Sequence, residues 1–168
     1  MKIKISNLND GVHNFNFDET AKSIGLNEPF FGNMLVEAEL NKAHGQLVLK
    51  ADLTAYANFD CDRCANNFNS TITNSYKMVY MIGMEPEDSD SINIAYLPPD
   101  ADKIILDNDV RDYAVLGIPM KKLCSDDCKG LCIKCGRNLN EGDCTCDHEN
   151  IDARWLPLTE LKNKLNNN

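Results

Sequence analysis

Hydrophobic and polar residues alternate along three long stretches in the first half of the chain. Apolar side chains occupy the even positions of 34–40, the odd positions of 47–59 and several even positions of 68–82. An alternation of period two is typical of strands that bury one face of a sheet. We therefore predict a three-stranded antiparallel meander whose second and third strands are joined by a turn at 61–64.

Shorter patterns flank these three stretches. The alternating residues 2–5 and the apolar positions of 12–17 predict two short strands, separated by the turn-forming residues 9–11. Residues 92–96 and 103–106 predict two more. Residues 18–32 are mixed, and Asp18 or Thr20 is suited to cap a short helical turn there.

Two segments have helical rather than alternating periodicity. Apolar or small residues recur at positions 110, 113, 114 and 117, which predicts an amphipathic helix near 107–118 with Asp107 as its cap. Leucines at 158, 161 and 165 share one helix face, which predicts a short C-terminal helix and a frayed tail within 151–168.

With 168 residues and 43% hydrophobic content, the chain can form one packed domain with a small appendage. The elements above predict an α+β fold, namely an antiparallel β-sheet or partly open barrel with two or three short helices and a Cys-rich zinc-binding C-terminal segment. We expect a β-rich core domain at 1–120, the zinc-binding segment at 121–150 and the closing helix and tail at 151–168.

The densest chemical signal is a run of six cysteines within residues 124–146. Cys132 and Cys135 form a C-x-x-C turn, which brings two sulfurs to one side, and Gly136 relieves the backbone where the turn leaves the second ligand. Two further cysteines follow in a C-x-C arrangement. We predict a first zinc site with four thiolate ligands: Cys132, Cys135, Cys144 and Cys146.

Four cysteines remain once that set is assigned, and one pair of them forms a second C-x-x-C at a predicted hairpin tip. These four either form a second zinc site that fastens the sheet to the C-terminal segment, or stay as reduced thiols, or form part of a partner surface. The chain would carry one or two zinc ions, each worth ~10–16 kcal/mol of apparent binding free energy at neutral pH. The residues of this possible second site are Cys61, Cys64, Cys124 and Cys128.

The N-terminal sequence MKIKISNLNDG lacks the apolar segment of a signal peptide, and no stretch approaches the ~18 apolar residues of a membrane span. We therefore expect a cytoplasmic protein without a membrane partner, whose eight cysteines are metal ligands rather than disulfides. The formal net charge of −9 disfavours nucleic-acid binding through bulk charge, because that interaction needs cations against phosphates.

One segment runs against this overall charge. Between residues 121 and 137, five cations face two carboxylates, Asp126 and Asp127, which leaves a local excess of three positive charges. These cations either balance the charge of the thiolates or form a small contact face for RNA or the ribosome. They are Lys121, Lys122, Lys129, Lys134 and Arg137.

The sequence contains no arrangement typical of catalysis. It has no H-E-x-x-H, no G-x-S-x-G and no glycine-rich phosphate loop. We therefore predict a non-enzymatic binding protein without a small-molecule substrate. Two alternatives stay open: a thiol redox or zinc-sensing protein that uses Cys61 and Cys64, and a metal-dependent hydrolase with an open coordination position.

The order of these features resembles the YceD family of bacterial and plastid proteins. The resemblance rests on C-D-R-C at 61–64, on Gly-Ile-Pro-Met at 117–120, and above all on K-G-L-C-x-x-C-G-x-N-L-N at 129–140. At 152–154 the chain has Asp-Ala-Arg where the family often has Asp-Pro-Arg. The resemblance implies a role in the accumulation of large-subunit ribosomal RNA, hence in ribosome biogenesis, with a ribosomal protein, ribosomal RNA or large-subunit precursor as partner. It implies no catalytic residue.

Overall fold

The computed structural model describes residues 1–43, 45–83, 93–146 and 158. The chain divides into two compact units: a first unit of Met1–Asp62 and Asn66–Cys124, and a second unit of Arg63–Ala65 and Ser125–Asn168. The named helices and strands all belong to the first unit. In chain order they are β1 (Lys2–Lys4), β2 (Gly11–Thr20), a 3-10 helix (Ala21–Ile24), β3 (Phe30–Ala43), β4 (Gln46–Asp60), β5 (Asn67–Ile82), β6 (Ile94–Leu97), β7 (Lys103–Ile105) and α1 (Asp107–Leu116).

The first unit is built on a five-stranded sheet in the order β2-β3-β4-β5-β6. Strands β2 to β5 are antiparallel neighbours, and β6 pairs with β5 in parallel. The predicted meander is present as β3, β4 and β5, and β2 extends it. Strands β1 and β7 form a separate antiparallel pair. Among the described strands, β2 and β6 are left as edges, so the sheet is open rather than a closed barrel.

The alternating pattern puts one face of this sheet into the core. The register pairs Leu40 with Leu49 and Leu49 with Met78, so apolar side chains lie opposite one another. Helix α1 packs on β4 and β5 through Val110 and Ala114, which are both fully buried. Each large apolar side chain buried in this way stabilises the unit by roughly 1.5–3 kcal/mol.

Two close approaches fix the helix on the sheet. The rings of Tyr113 and Tyr76 stack with centroids 4.5 Å apart. Just beyond the helix, a Cβ at Gly117 would come within 2.8 Å of the Ile72 side chain. Gly117 therefore allows the chain to leave α1 while still in contact with β5, before it reaches the first of the clustered cysteines.

The structure corrects two predictions about helices. The described residues contain one α-helix and one 3-10 helix of four residues, rather than two or three helices. The predicted C-terminal helix within 151–168 lies outside the described residues except at Leu158, which is helical. Asp107 is not the cap of α1, because Leu106 occupies that position and the Asp107 carboxylate pairs with the amino group of Met1. No helix in the described part of the chain is long and apolar enough to cross a membrane.

The second unit, where it is described, has almost no regular secondary structure. Its residues 125–146 contain a single isolated bridge, between Leu131 and Asn138. Along those residues only Cys128, Gly130 and Cys132 are buried. An apolar core like that of the first unit is therefore missing from this described segment, and cysteines occupy the buried positions instead.

Candidate metal centres

The turn at 132–137 presents two sulfurs from a tightly bonded backbone. The N–H of Cys132 donates to the carbonyl of Arg137 at 2.8 Å, and the N–H of Gly136 donates to the carbonyl of Cys132 at 2.8 Å. The N–H of Lys134 donates to Sγ of Cys132 at 3.4 Å. Gly136 has a φ of +74°, the left-handed conformation that glycine adopts without steric penalty, as the sequence pattern predicted.

This turn and the later C-x-C pair bring four sulfurs together within the second unit. The sulfurs lie within 4.8 Å of one another, and those of Cys144 and Cys132 are 3.4 Å apart. A tetrahedral zinc ion with Zn–S bonds of ~2.3 Å holds its sulfurs ~3.8 Å apart. The group therefore has the ligand number and the spacing for one metal ion. Its members are Cys132, Cys135, Cys144 and Cys146.

The turn after β4 repeats the same local structure 71 residues earlier in the sequence. The N–H of Cys61 donates to the carbonyl of Asn66 at 2.9 Å, which matches the bond from Cys132 to Arg137 residue for residue. Ala65 occupies the position of Gly136 and has a φ of +58°. The second C-x-x-C is therefore also a metal knuckle in its backbone, although alanine stands at the left-handed position.

The two residues inside this turn each bind a different part of the cysteine-rich segment. In the first unit, the N–H of Asp62 donates to the carbonyl of Lys122 at 2.8 Å, and the Asp62 carboxylate accepts the Lys122 N–H at 2.7 Å. The N–H of Cys124 then donates to Sγ of Cys61 at 3.4 Å. These bonds hold residues 122–124 beside the first cysteine of the turn.

In the second unit, Arg63 makes the corresponding contacts. Its guanidinium donates to the carbonyls of Cys128 and Asp126 at 2.8 and 3.3 Å, and its own carbonyl accepts the Leu131 N–H at 3.1 Å. Gly130 passes so close that a Cβ would lie 3.0 Å from the Arg63 carbonyl oxygen. The sulfurs of a second group of four cysteines lie within 4.8 Å of one another: Cys61, Cys64, Cys124 and Cys128.

The two groups that can hold a metal ion are the two sets into which the sequence analysis divided the eight cysteines. Backbone and side-chain N–H groups donate to Sγ of Cys61, Cys132 and Cys128, as they do around metal-bound thiolates. The donor set and these contacts fit zinc. Ligation by the eight residues, and a count of one or two ions, stay predictions.

Comparison with known families gives this arrangement a context. A family model described as large ribosomal RNA subunit accumulation protein YceD matches residues 49–162, which is more than half of the chain and includes all eight cysteines. The chain belongs to the YceD family. The resemblance drawn from the motifs at 61–64 and 129–140 is thereby confirmed.

Individual YceD relatives match over shorter segments. The chain is 36% identical over 70 residues to the chloroplastic large ribosomal RNA subunit accumulation protein YCED homolog 1 of Arabidopsis thaliana, a match that covers 42% of this chain and 22% of the relative. The homologue from Zea mays is 42% identical over 57 residues, covering 33% and 20%. An uncharacterized protein of Mycobacterium tuberculosis is 38% identical over 58 residues, covering 34% and 28%. The chain thus spans less than a third of these relatives, and no solved structure matches it.

The sulfurs of this YceD-family chain differ in acidity when they are considered without metal. The backbone N–H groups of Cys135 and Lys134 lower the pKa of the Cys132 thiol to about 6. The pKa of Cys146 is raised to about 12, because its thiol is hydrogen-bonded to Cys135 and lies beside other thiolates. Compared with Cys146, Cys132 is therefore better prepared to meet an incoming cation as thiolate, and the metal must displace the proton from Cys146.

The five predicted contact cations fall in different places. In the first unit, Lys121 is exposed, and Lys122 is half-buried with its Nζ 5.8 Å from the Phe59 ring centroid. In the second unit the side chains of Lys129, Lys134 and Arg137 are exposed. The Arg137 guanidinium also donates to the carbonyl of Asp143 at 3.3 Å. A role of any of these cations in binding RNA or the ribosome stays a prediction.

The residues that assemble the centres around their ligands were not predicted from the sequence. Asp62 and Arg63 lie within the predicted turn, and Asn140, which donates to Sγ of Cys128, lies within the YceD motif. Their signal in the sequence is weak, since each is a polar residue beside a cysteine or in a turn. The YceD motif K-G-L-C-x-x-C-G-x-N-L-N carries Asn140 as its last letter, and that was the available indication.

Proposed function

We propose that this chain is a non-enzymatic zinc-binding factor in ribosome biogenesis, which supports large-subunit ribosomal RNA accumulation or processing in the cytoplasm. It would do so by binding a ribosomal protein or an RNA precursor. The observation that carries the proposal is the YceD match over 49–162, because it includes both sets of cysteines that can hold a metal. The chain's family and its candidate metal centres therefore belong to the same stretch of sequence.

The packing of the second unit supports a structural role for the metal. Three of its four buried residues at 63–65 and 125–146 are cysteines, namely Cys64, Cys128 and Cys132. A segment of this size without apolar packing does not offset its conformational entropy, which is roughly 1–2 kcal/mol per ordered residue for the backbone alone. A bound structural zinc contributes ~10–16 kcal/mol, which is enough to order the segment.

The ligand set argues for a structural rather than a catalytic metal. Structural zinc sites are closed by four protein ligands, whereas catalytic sites keep a position for water or substrate. Each cysteine group supplies four thiolates, which would fill the coordination sphere of one ion. This is the reason for preferring a binding protein over a metal-dependent hydrolase.

The surface that we propose for the partner lies on the second unit around the 132–137 turn. Ile133 is 93% exposed at the tip of that turn and Leu131 is 40% exposed, so two large apolar side chains meet solvent close together there. The exposed cations Lys129, Lys134 and Arg137 accompany them. Apolar and cationic groups together suit RNA, whose phosphates attract cations and whose bases contact apolar surface.

The test is complementation of a strain that lacks the protein, with large-subunit ribosomal RNA measured against small-subunit RNA. One variant changes Lys129, Lys134 and Arg137 to Glu, and a matched control makes the same charge change on the first unit at the exposed Lys22, Lys50 and Lys77. We expect the first variant to keep its zinc content, lose association with large-subunit precursors and fail to restore the RNA. The control should restore it.

Two outcomes would contradict parts of the proposal. Full complementation by the Lys129, Lys134 and Arg137 variant would remove this surface from the function. Purified protein without zinc, together with full complementation by a variant in which Cys132, Cys135, Cys144 and Cys146 are serines, would remove the metal from it. A rapidly alkylated pair at Cys61 and Cys64 in zinc-loaded protein would favour the redox or zinc-sensing alternative.

A further inference from the structure

Residues 128–140 form a hairpin that carries ligands of both cysteine groups. Its two arms are paired by the Leu131–Asn138 bridge and by two backbone hydrogen bonds. The Leu139 N–H donates to the Gly130 carbonyl at 2.9 Å, and the Cys132 N–H donates to the Arg137 carbonyl. Cys132 and Cys135 lie at its tip, in one group, and Cys128 lies at its base, in the other. The hairpin is therefore common to both centres.

Asn140 stands opposite Cys128 at the base, and its carboxamide makes three hydrogen bonds there. Its Nδ2 donates to Sγ of Cys128 at 3.3 Å and to Oδ1 of Asn138 at 2.8 Å. Its Oδ1 accepts the Lys129 N–H at 2.8 Å. The N–H of Asn140 also donates to Oδ1 of Asn138, at 3.0 Å. This side chain reaches the sulfur from the arm opposite Cys128, so the contact spans the two paired arms of the hairpin.

We propose that Asn140 couples the two metal centres, so that filling either group strengthens metal binding at the other. This inference rests on the zinc binding proposed above. A metal on Cys132, Cys135, Cys144 and Cys146 orders the hairpin, and the ordered hairpin brings the side-chain Nδ2–H of Asn140 to Sγ of Cys128. The donor stabilises the thiolate and holds it in position for the other ion.

Thermodynamic linkage makes the size of this effect testable from both directions. If one bound metal raises the affinity of the other group by some factor, the second metal must raise the affinity of the first group by the same factor. Loss of a hydrogen bond to a metal ligand typically weakens metal binding about 10–100-fold. We expect a coupling of about tenfold, since Asn140 supplies one neutral donor.

The coupling is measured by metal competition on the full chain with a chromophoric chelator. Cys61→Ser with Cys64→Ser leaves one group intact, and Cys144→Ser with Cys146→Ser leaves the other. We expect the remaining group in each variant to bind zinc about tenfold more weakly than in the intact protein, and by the same factor in both. In the Asn140→Ala background that coupling factor should fall towards one. The coupling that remains is carried by the hydrogen bond from the Leu131 N–H to the Arg63 carbonyl.

A spectroscopic signature separates this role from a merely structural one. In the chain loaded with Co²⁺ at both groups, Asn140→Ala should move the thiolate-to-metal charge-transfer absorption to longer wavelength, because Cys128 loses a donor. The d–d bands should stay those of a tetrahedral four-sulfur site. Asn140→Asp, which keeps the size but not the Nδ2 donor, should also lose the coupling. Glu141→Gln, which touches Asn138 but no sulfur, should not.

The outcomes distinguish this inference from the proposed function. The role of Asn140 would be overturned, with zinc binding intact, by either of two results. One is that each ion binds with the same affinity in the presence and absence of the other, and the second is a coupling factor that Asn140→Ala leaves unchanged. A chain that binds no metal at either group would overturn both. Far-UV circular dichroism of each variant checks that the sheet of the first unit is unchanged.

Discussion

Ala65 holds a backbone conformation that residues other than glycine rarely adopt. Its φ is +58°, and it is the one non-glycine residue with positive φ in the described part of the chain. Gly136 holds the equivalent position of the other C-x-x-C turn, with a φ of +74°. Ala65→Gly and Gly136→Ala should therefore change stability in opposite directions at two turns of the same local structure.

The magnitude follows from two opposing terms. The left-handed conformation costs an L-residue roughly 1–2 kcal/mol. Glycine also has greater conformational freedom in the unfolded chain, which reduces its advantage over alanine at this position by roughly 0.4–1 kcal/mol. A Cβ at Gly136 would meet nothing within 4 Å, so no clash adds to the backbone cost there. We expect a gain of roughly 0.5–1 kcal/mol for Ala65→Gly and a similar loss for Gly136→Ala.

Zinc affinity reports these changes, because metal binding is coupled to folding of the turn. A change of 0.5–1 kcal/mol corresponds to roughly a two- to fivefold change in dissociation constant. Chelator competition should find Ala65→Gly binding its ion more tightly and Gly136→Ala more weakly. Ala65→Ser is the matched control, since serine keeps the penalty. Equal or weaker binding by Ala65→Gly would refute the argument from backbone conformation.

Three further predictions concern packing, pH and metal removal. Gly130→Ala should weaken zinc binding by at least the equivalent of ~2 kcal/mol in chelator competition, because φ is +78° there and the Cβ would meet the Arg63 carbonyl. Burial raises the pKa of the Asp109 carboxyl group, which accepts a hydrogen bond from the Tyr80 hydroxyl. The charged carboxylate therefore lowers the free energy of unfolding at neutral pH, and this destabilisation disappears as the pH falls through the raised pKa. Asp109→Asn should therefore stabilise the protein against urea at pH 7 and have little effect near pH 3. Chelation of zinc should remove hydrogen-exchange protection from residues 125–146 and leave the sheet of the first unit protected.

The antiparallel meander of β3 to β5 was predictable because its register repeats a simple rule, whereas the parallel pairing of β6 with β5 departs from the antiparallel sheet that was predicted. Leu40, Leu49 and Met78 are opposite one another, and each belongs to an alternating run that is visible in the sequence. The cap of α1 was not predictable, because Asp107 bonds to Met1, 106 positions away. Local propensity favours Asp as a cap, and a tertiary contact with the chain terminus gave it a different role.

Spacing predicted the first cysteine group, and the second group was one of the alternatives for the four cysteines that remained, but the contacts that assemble both groups were not predictable. Cys132 and Cys135 with Gly136 have a recognisable local pattern. The Asp62 carboxylate accepts a hydrogen bond from the Lys122 N–H, 60 positions away in the sequence, and no periodic pattern predicts such a bond. The same holds for Ala65, because sequence reasoning looks for glycine where φ is positive. Long-range hydrogen bonds and left-handed alanines become visible only in three dimensions.

The same contacts decide what kind of surface the second unit can offer a partner. Exposed Ile133 and the cations near it lie in a segment whose described residues 125–146 include three buried positions, Cys128, Gly130 and Cys132. With protonated thiols the described part of that segment keeps backbone hydrogen bonds but has no apolar core or bound metal to hold its shape, and the apolar tip would have no fixed position to present. Because the thiols must lose their protons to bind zinc as thiolates, both low pH and low zinc act on this surface through the same equilibrium. Partner binding should therefore weaken under either condition, by an amount set by the metal affinity rather than by the charges on the surface itself.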